Sequence, residues 1–170
     1  MILPVVKEPN PILRQKAVTI LEITPKIRKL AADMIDTMHA AEGVGLAANQ
    51  VGSSWNMFVA TPDGEKGKEL VFINPVLSAA KEKELKDEGC LSVPGVSGQI
   101  NRFTEITVSG LDLNGKKQQI HASGLLAQIF QHEVGHLQGQ LYVDLLPADE
   151  NAAVLKKYRT LSETLRRIKL

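Results

Sequence analysis

Gln131-His132-Glu133-Val134-Gly135-His136-Leu137 contains His-Glu-x-x-His, and the fold turns on whether this stretch is helical. Four residues advance an α-helix by about 6 Å and a little over one turn, which stacks His132 and His136 on one face. Two imidazoles so placed reach one metal ion while their ring planes stay separate. Glu133 sits about 100° round the helix from His132. From there its carboxylate meets a water on the metal more readily than the metal itself, which is the place of a general base.

The flanking residues support a helix. Ser123 is a candidate N-cap, and Leu125, Leu126, Ile129, Phe130, Val134 and Leu137 follow at spacings of three and four. Gly139 supplies a stop. The apolar residues cover most of the circumference, which predicts a buried helix. Buried His, Glu and His must each find a partner. Two core histidines bonded to carbonyls, with Glu133 paired to a base, is the plain alternative. The spacing favours the metal, although so short a motif also arises by chance.

Composition narrows the class. A chain of 170 residues predicts a single domain, 1–170, with a real core. Twenty basic residues against nineteen acidic leave a net charge of +1, so nothing favours bulk attraction to nucleic acid or membrane. No apolar run reaches the length of a membrane span, and Lys7 follows Met1 too closely for a signal peptide. Cys90 is the only cysteine. An internal disulfide is therefore excluded, a reducing cytoplasm is expected, and one thiol needs a role.

Along the chain, residues 1–23 read as an arm with a short helical turn, punctuated by Pro4, Pro9 and Pro11. Thr24 and Pro25 open a helix whose apolar stripe is Ile27, Leu30, Ala31, Met34, Ile35 and Met38. Residues 43–52 are glycine-rich and read as a tight turn, since they fit neither a dinucleotide fingerprint nor a phosphate loop. Strands are predicted at 57–60, 70–77, 103–112 and 118–122, with Pro75 making the end of the second an edge or a termination and Asn114-Gly115 giving a two-residue hairpin turn. The charge run at 81–86 reads as a solvated face. A last helix near 149–168 should pack through Val154, Tyr158, Leu161, Leu165 and Ile168. Strands and helices do not alternate regularly, so the fold class is α+β, with antiparallel sheets packed around the central helix and a C-terminal helix.

A catalytic metal site takes three protein ligands and leaves a position for water. Tyr142 stands where a metzincin protease has its third histidine. Glu150 or Glu163 would serve a thermolysin-like zinc endopeptidase. His121 lies just ahead of the helix, and His39 has no motif around it. Cys90 is the remaining soft donor, and a thiolate with two imidazoles suits iron(II), zinc, nickel or cobalt.

Three segments in order, Gly-Val-Gly-Leu-Ala-Ala-Asn-Gln at 43–50, Glu-Gly-Cys-Leu-Ser at 88–92 and Gln-His-Glu-x-x-His-Leu at 131–137, resemble those of bacterial peptide deformylases. The resemblance extends over essentially the whole chain. It implies Cys90, His132 and His136 as metal ligands, Glu133 as catalytic acid/base, and Gln50 with the backbone N–H of Leu91 facing the reacting carbonyl. The backbone at Val44 and Gly45 would align the peptide beside an apolar pocket for a methionine side chain. The implied reaction removes the N-formyl group from the initiator methionine of new proteins as formate. It implies one divalent metal, iron(II) in the cell, with zinc, nickel or cobalt able to occupy purified protein. Nascent N-formyl-Met peptides are the expected partners, with a transient ribosome contact. One departure stands out: the family has Asp before the second histidine, and this chain has Gly135, so Arg102 is expected to lean more on Glu88. A non-enzymatic or weakly active peptide-binding relative, and the zinc endopeptidase, remain the alternatives.

Overall fold

The computed structural model describes residues 1–168. Thr24 caps the first helix, accepting the Ile27 N–H at 3.4 Å, and α1 runs Pro25–Ala40. Strands β1 (Gly45–Ala47), β2 (Met57–Ala60), β3 (Leu70–Ser78), β6 (Glu105–Leu111) and β7 (Lys117–Ser123) form one antiparallel sheet in the order β1-β2-β3-β6-β7. Strands β4 (Lys83–Cys90) and β5 (Val93–Phe103) make a separate antiparallel ribbon. Helix α2 spans Gly124–Leu137 and α3 spans Ala148–Ile168.

The large sheet lies between two helices. Met57 and Val59 of β2 pack with Ala31, Met34 and Met38 of α1, whereas Phe58 and Ala60 face α2. Both faces of β2 are therefore dry, which is why Met-Phe-Val-Ala is an unbroken apolar run. Phe58, Phe72 and Phe130 lock α2 to the sheet with ring centroids 5.4–5.6 Å apart. Among polar residues of α2, Gln131 is buried and satisfied, since its amide accepts the Phe103 N–H and donates to the Phe103 carbonyl, each at 2.9 Å. A third cluster joins Leu13 of the arm, Val93 and Ile100 of β5, Tyr142 and Tyr158.

Several expectations need correction. Residues 43–52 are not one tight turn: they form edge strand β1 and a 3-10 turn over Ala48–Val51. Strand β3 runs one residue beyond the expected 77, to Ser78, and its register shifts between Ile73 and Val76, which spares the ladder the N–H that Pro75 lacks. The charge run belongs to β4, whose side chains are exposed apart from buried Glu88 and half-buried Lys86 and Cys90, so no apolar alternation marks it. Its partner β5 has no predicted counterpart because Pro94, Gly95 and Gly98 interrupt its sequence, although Val93, Ile100 and Arg102 are buried. The β6–β7 connection uses three residues, 113–115, between Asp112 and Lys116, with Gly115 at φ 77°. Ser123 precedes α2, yet its side chain makes no capping bond, and Leu125 is exposed rather than buried. On α3, Tyr158 packs inward, whereas Leu165 is 58% exposed; the side chain of Ile168 lies outside the described residues.

Candidate active site

Helix α2 supplies three candidate side chains, His132, Glu133 and His136, from consecutive turns. Its geometry brings His132 Nε2 and His136 Nε2 to 3.1 Å, with ring centroids 4.8 Å apart. The β4–β5 ribbon brings the fourth group. Cys90 pairs with Val93 across the tip of that hairpin, and its Sγ lies 3.1 Å from His136 Nε2. The three donor atoms lie within 4.8 Å of one another, the one grouping among the described residues able to hold a metal ion. Two facing ring nitrogens cannot both act as acceptors toward each other, whereas a soft cation between them and the sulfur satisfies all three.

Glu88, two residues before Cys90, fixes the first ring. It accepts from His132 Nδ1, and Arg102 reaches it through Nε at 2.9 Å and Nη2 at 2.6 Å. With Nδ1 engaged, the Nε2 of His132 is left for the cluster. Burial works to raise the Glu88 pKa, but hydrogen bonds from Arg102 and His132 outweigh it and hold the carboxyl at about 2. Burial likewise depresses His132, and its bonds to Cys90 and Glu88 overturn that, raising it well above the usual histidine range. His136 goes the other way, pushed well down by burial and by the neighbouring His132. Arg102 thus has Glu88 as its carboxylate partner. The nearest atoms that a side chain on Gly135 would meet belong to Gln140.

Glu133 is 3% exposed. Burial lifts its carboxyl to about 7, against the pull of His132, which suits a group that takes and returns a proton near neutrality. Its Oε2 has no hydrogen-bond partner among the described residues. Gln50 is held through Oε1, which accepts the Ala47 N–H at 2.8 Å. The other half of its amide, Nε2, points to Ser92 Oγ at 3.2 Å and Cys90 Sγ at 3.6 Å. Leu91 lies on the hairpin tip next to Cys90. Val44, Gly45, Gln50, Leu125, Ile129 and Glu133 are among the residues lining a cleft of about 510 Å³ that opens over the cluster.

The other candidates lie elsewhere. His121 bonds Thr107 and Glu105 across β6–β7, and His39 bonds Glu69. Glu150 and Glu163 are exposed on α3 and are not in the grouping. Tyr142 is buried with its ring stacked 6.4 Å from that of His132. Asn49, which sequence reasoning passed over, donates from Nδ2 to the His136 carbonyl at 2.6 Å. Its place inside the 43–50 segment was the available signal.

The model of the polypeptide deformylase family matches residues 2–152. The chain belongs to the polypeptide deformylase family. Among individual relatives, the peptide deformylase of Endomicrobium trichonymphae is 41% identical over 157 residues, covering 92% of this chain and 94% of that one. The peptide deformylase of Symbiobacterium thermophilum is 48% identical over 143 residues, covering 84% of this chain and 66% of the longer relative. Among solved structures, a peptide deformylase from Legionella pneumophila superposes with a TM-score of 0.95 at 35% identity, covering 98% of this chain and 99% of that one. The α+β deformylase fold is thus shared, and no described helix is long and apolar enough to cross a membrane.

Proposed function

We propose that this deformylase removes the formyl group from N-formyl-Met peptides with Cys90, His132 and His136 holding one divalent metal and Glu133 as acid/base. The observation that supports this most is the convergence of one sulfur and two ring nitrogens beside a buried carboxylate whose second oxygen is unengaged. The donor set fits a soft divalent ion. When bound, such an ion supplies Lewis acidity and a water acidified to about neutrality.

The chain's own residues do the rest. Glu133 takes a proton from the attacking water and returns it to the departing amine nitrogen, so that formate and a free amino terminus result. A pKa near 7 makes both transfers accessible at neutral pH. Gln50 Nε2 and the Leu91 N–H face the formyl oxygen as charge builds on it. The backbone at Val44 and Gly45 aligns the peptide along the cleft, with the methionine side chain on its apolar wall. Glu88 and Arg102 hold the His132 ring in place and exclude its Nδ1 from the chemistry.

In the cell the ion is iron(II), with zinc(II), nickel(II) or cobalt(II) able to take its place in purified protein. The substrates are nascent chains met at a transient ribosome contact in the cytoplasm, and residues 1–170 work as a single domain. Formate release from formyl-Met-Ala-Ser tests the reading. Glu133→Ala should lower turnover by about 10²–10⁴-fold with the metal retained. Cys90→Ala should lose the metal as well. A fully metallated, active Cys90→Ala enzyme would overturn the ligand assignment.

A further inference from the structure

Residues 6–8 of the arm run between the two segments that carry the site. The Val6 N–H donates to the Gln50 carbonyl at 2.7 Å, and the Glu8 N–H donates to the Ser92 carbonyl at 2.9 Å. Tyr158 Oη donates to the Glu8 carbonyl at 2.9 Å, which ties this strap to α3. Between those two anchors stands Lys7, and its ammonium donates to the Leu91 carbonyl at 2.5 Å. In the sequence Lys7 only marks where an apolar start ends.

The Leu91 carbonyl belongs to the peptide group whose N–H sits on Ser92, and that N–H points at Cys90 Sγ from 3.4 Å. One planar peptide unit therefore has a cation on its oxygen and a sulfur at its N–H. Resonance couples the two ends. A positive charge on the oxygen draws electron density out of the C–N bond and makes the N–H a stronger donor, as in any polarised hydrogen-bond chain. Hydrogen bonds to a ligating sulfur lower its electron donation to a metal.

We propose that Lys7 is a positioning residue for Cys90, which through the Leu91–Ser92 peptide group strengthens the N–H···S bond and weakens electron donation by the sulfur to the metal. This rests on Cys90 being a metal ligand. Part burial pulls the Lys7 pKa down and the Cys90 charge opposes that pull, in keeping with their proximity. Gln50 Nε2 is a second donor toward the same sulfur, so the Lys7 contribution is one of two and its loss should leave the site assembled.

The test uses the full chain loaded with cobalt(II), whose sulfur-to-metal charge-transfer band reports donation directly. Lys7→Met should move that band to longer wavelength, because a more electron-rich sulfur gives up its electron more easily. Lys7→Gln keeps a donor to the carbonyl but removes the charge, and should move the band the same way. Lys7→Arg should restore the wild-type position. Thermal unfolding of each variant guards against a misfolded site, and most of the Lys7 residue lies at the surface even though its ammonium is partly covered, so at least the Gln and Arg variants are expected to fold. Met and Gln bands coincident with wild type would overturn the inference while leaving the ligand assignment standing. Absence of the band from wild type would overturn the ligand assignment itself, and this inference with it.

Discussion

The carboxylate of Glu133 occupies the space that a side chain on Gly45 would need: a Cβ there would lie 2.4 Å from Glu133 Oε1 and 2.9 Å from its carboxyl carbon. A side chain at 45 would have to push the Glu133 carboxylate aside, across an approach between two segments 88 positions apart. Gly45→Ala should displace Glu133, the proposed acid/base, from its position. Turnover of a formyl-Met peptide should fall by more than tenfold, while overpacking costs about 1–3 kcal/mol of stability. An enzyme with unchanged kcat and an unchanged Tm would show that Glu133 is not fixed by this contact.

With His132 as the proposed metal ligand, Glu88 and Arg102 act on the metal through its ring. Removing a group that orients a ligating imidazole typically costs about 10–100-fold in metal affinity. Glu88→Gln should therefore release zinc to a competing chelator at 10–100-fold lower chelator concentration. Arg102→Met should act in the same direction, because it leaves the buried Glu88 carboxylate with His132 and Gln128 but without its guanidinium.

The elevated Glu133 pKa carries a stability cost in metal-free protein. Its folded value of about 7 lies above the unfolded value of about 4.3, so the folded state binds the proton more tightly. Stability from this group is complete below about pH 4 and falls as pH rises towards 7. Glu133→Gln removes the titration. The metal-free variant should gain on metal-free wild type as pH rises from 5 to 8, by up to about 3 kcal/mol. Parallel unfolding free energies across that range would contradict the assignment. Glu88 gives the opposite slope: held at about 2, it loses its stabilising contribution as pH drops from about 4 to 2.

Gly135 has room beside it. A Cβ would meet the Gln140 carbonyl at 3.6 Å, an ordinary contact. Gly135→Ala should therefore stabilise α2 by about 0.5–1 kcal/mol, through lower backbone entropy in the unfolded chain. For a chain of this length that is a rise of about 1–4 °C in Tm. Gly135→Asp should gain less, since its carboxylate starts out beside the Gln140 carbonyl. A larger gain with Asp than with Ala would instead point to a bond with Arg102.

What the sequence determined by itself was local. The i, i+4 spacing of His132 and His136, and the offset of Glu133 between them, follow from helix geometry once Leu125 to Leu137 are read as helical. The Thr24-Pro25 start of α1 was equally legible, because a cap and the helix it opens are neighbours in the chain. Recognition of three segments in order extended this to the whole fold. The tertiary structure alone decided how Cys90 arrives. It does so on a ribbon, β4–β5, in which β4 is mostly charged and β5 is interrupted by Pro94, Gly95 and Gly98, so no apolar run marks either strand. The Glu88–His132 bond, the Gly45–Glu133 approach and the Lys7 contact with the Leu91 carbonyl join positions 44 to 88 residues apart. Such pairings are set by packing of the sheet, ribbon and arm around α2, and no short-range periodicity encodes them.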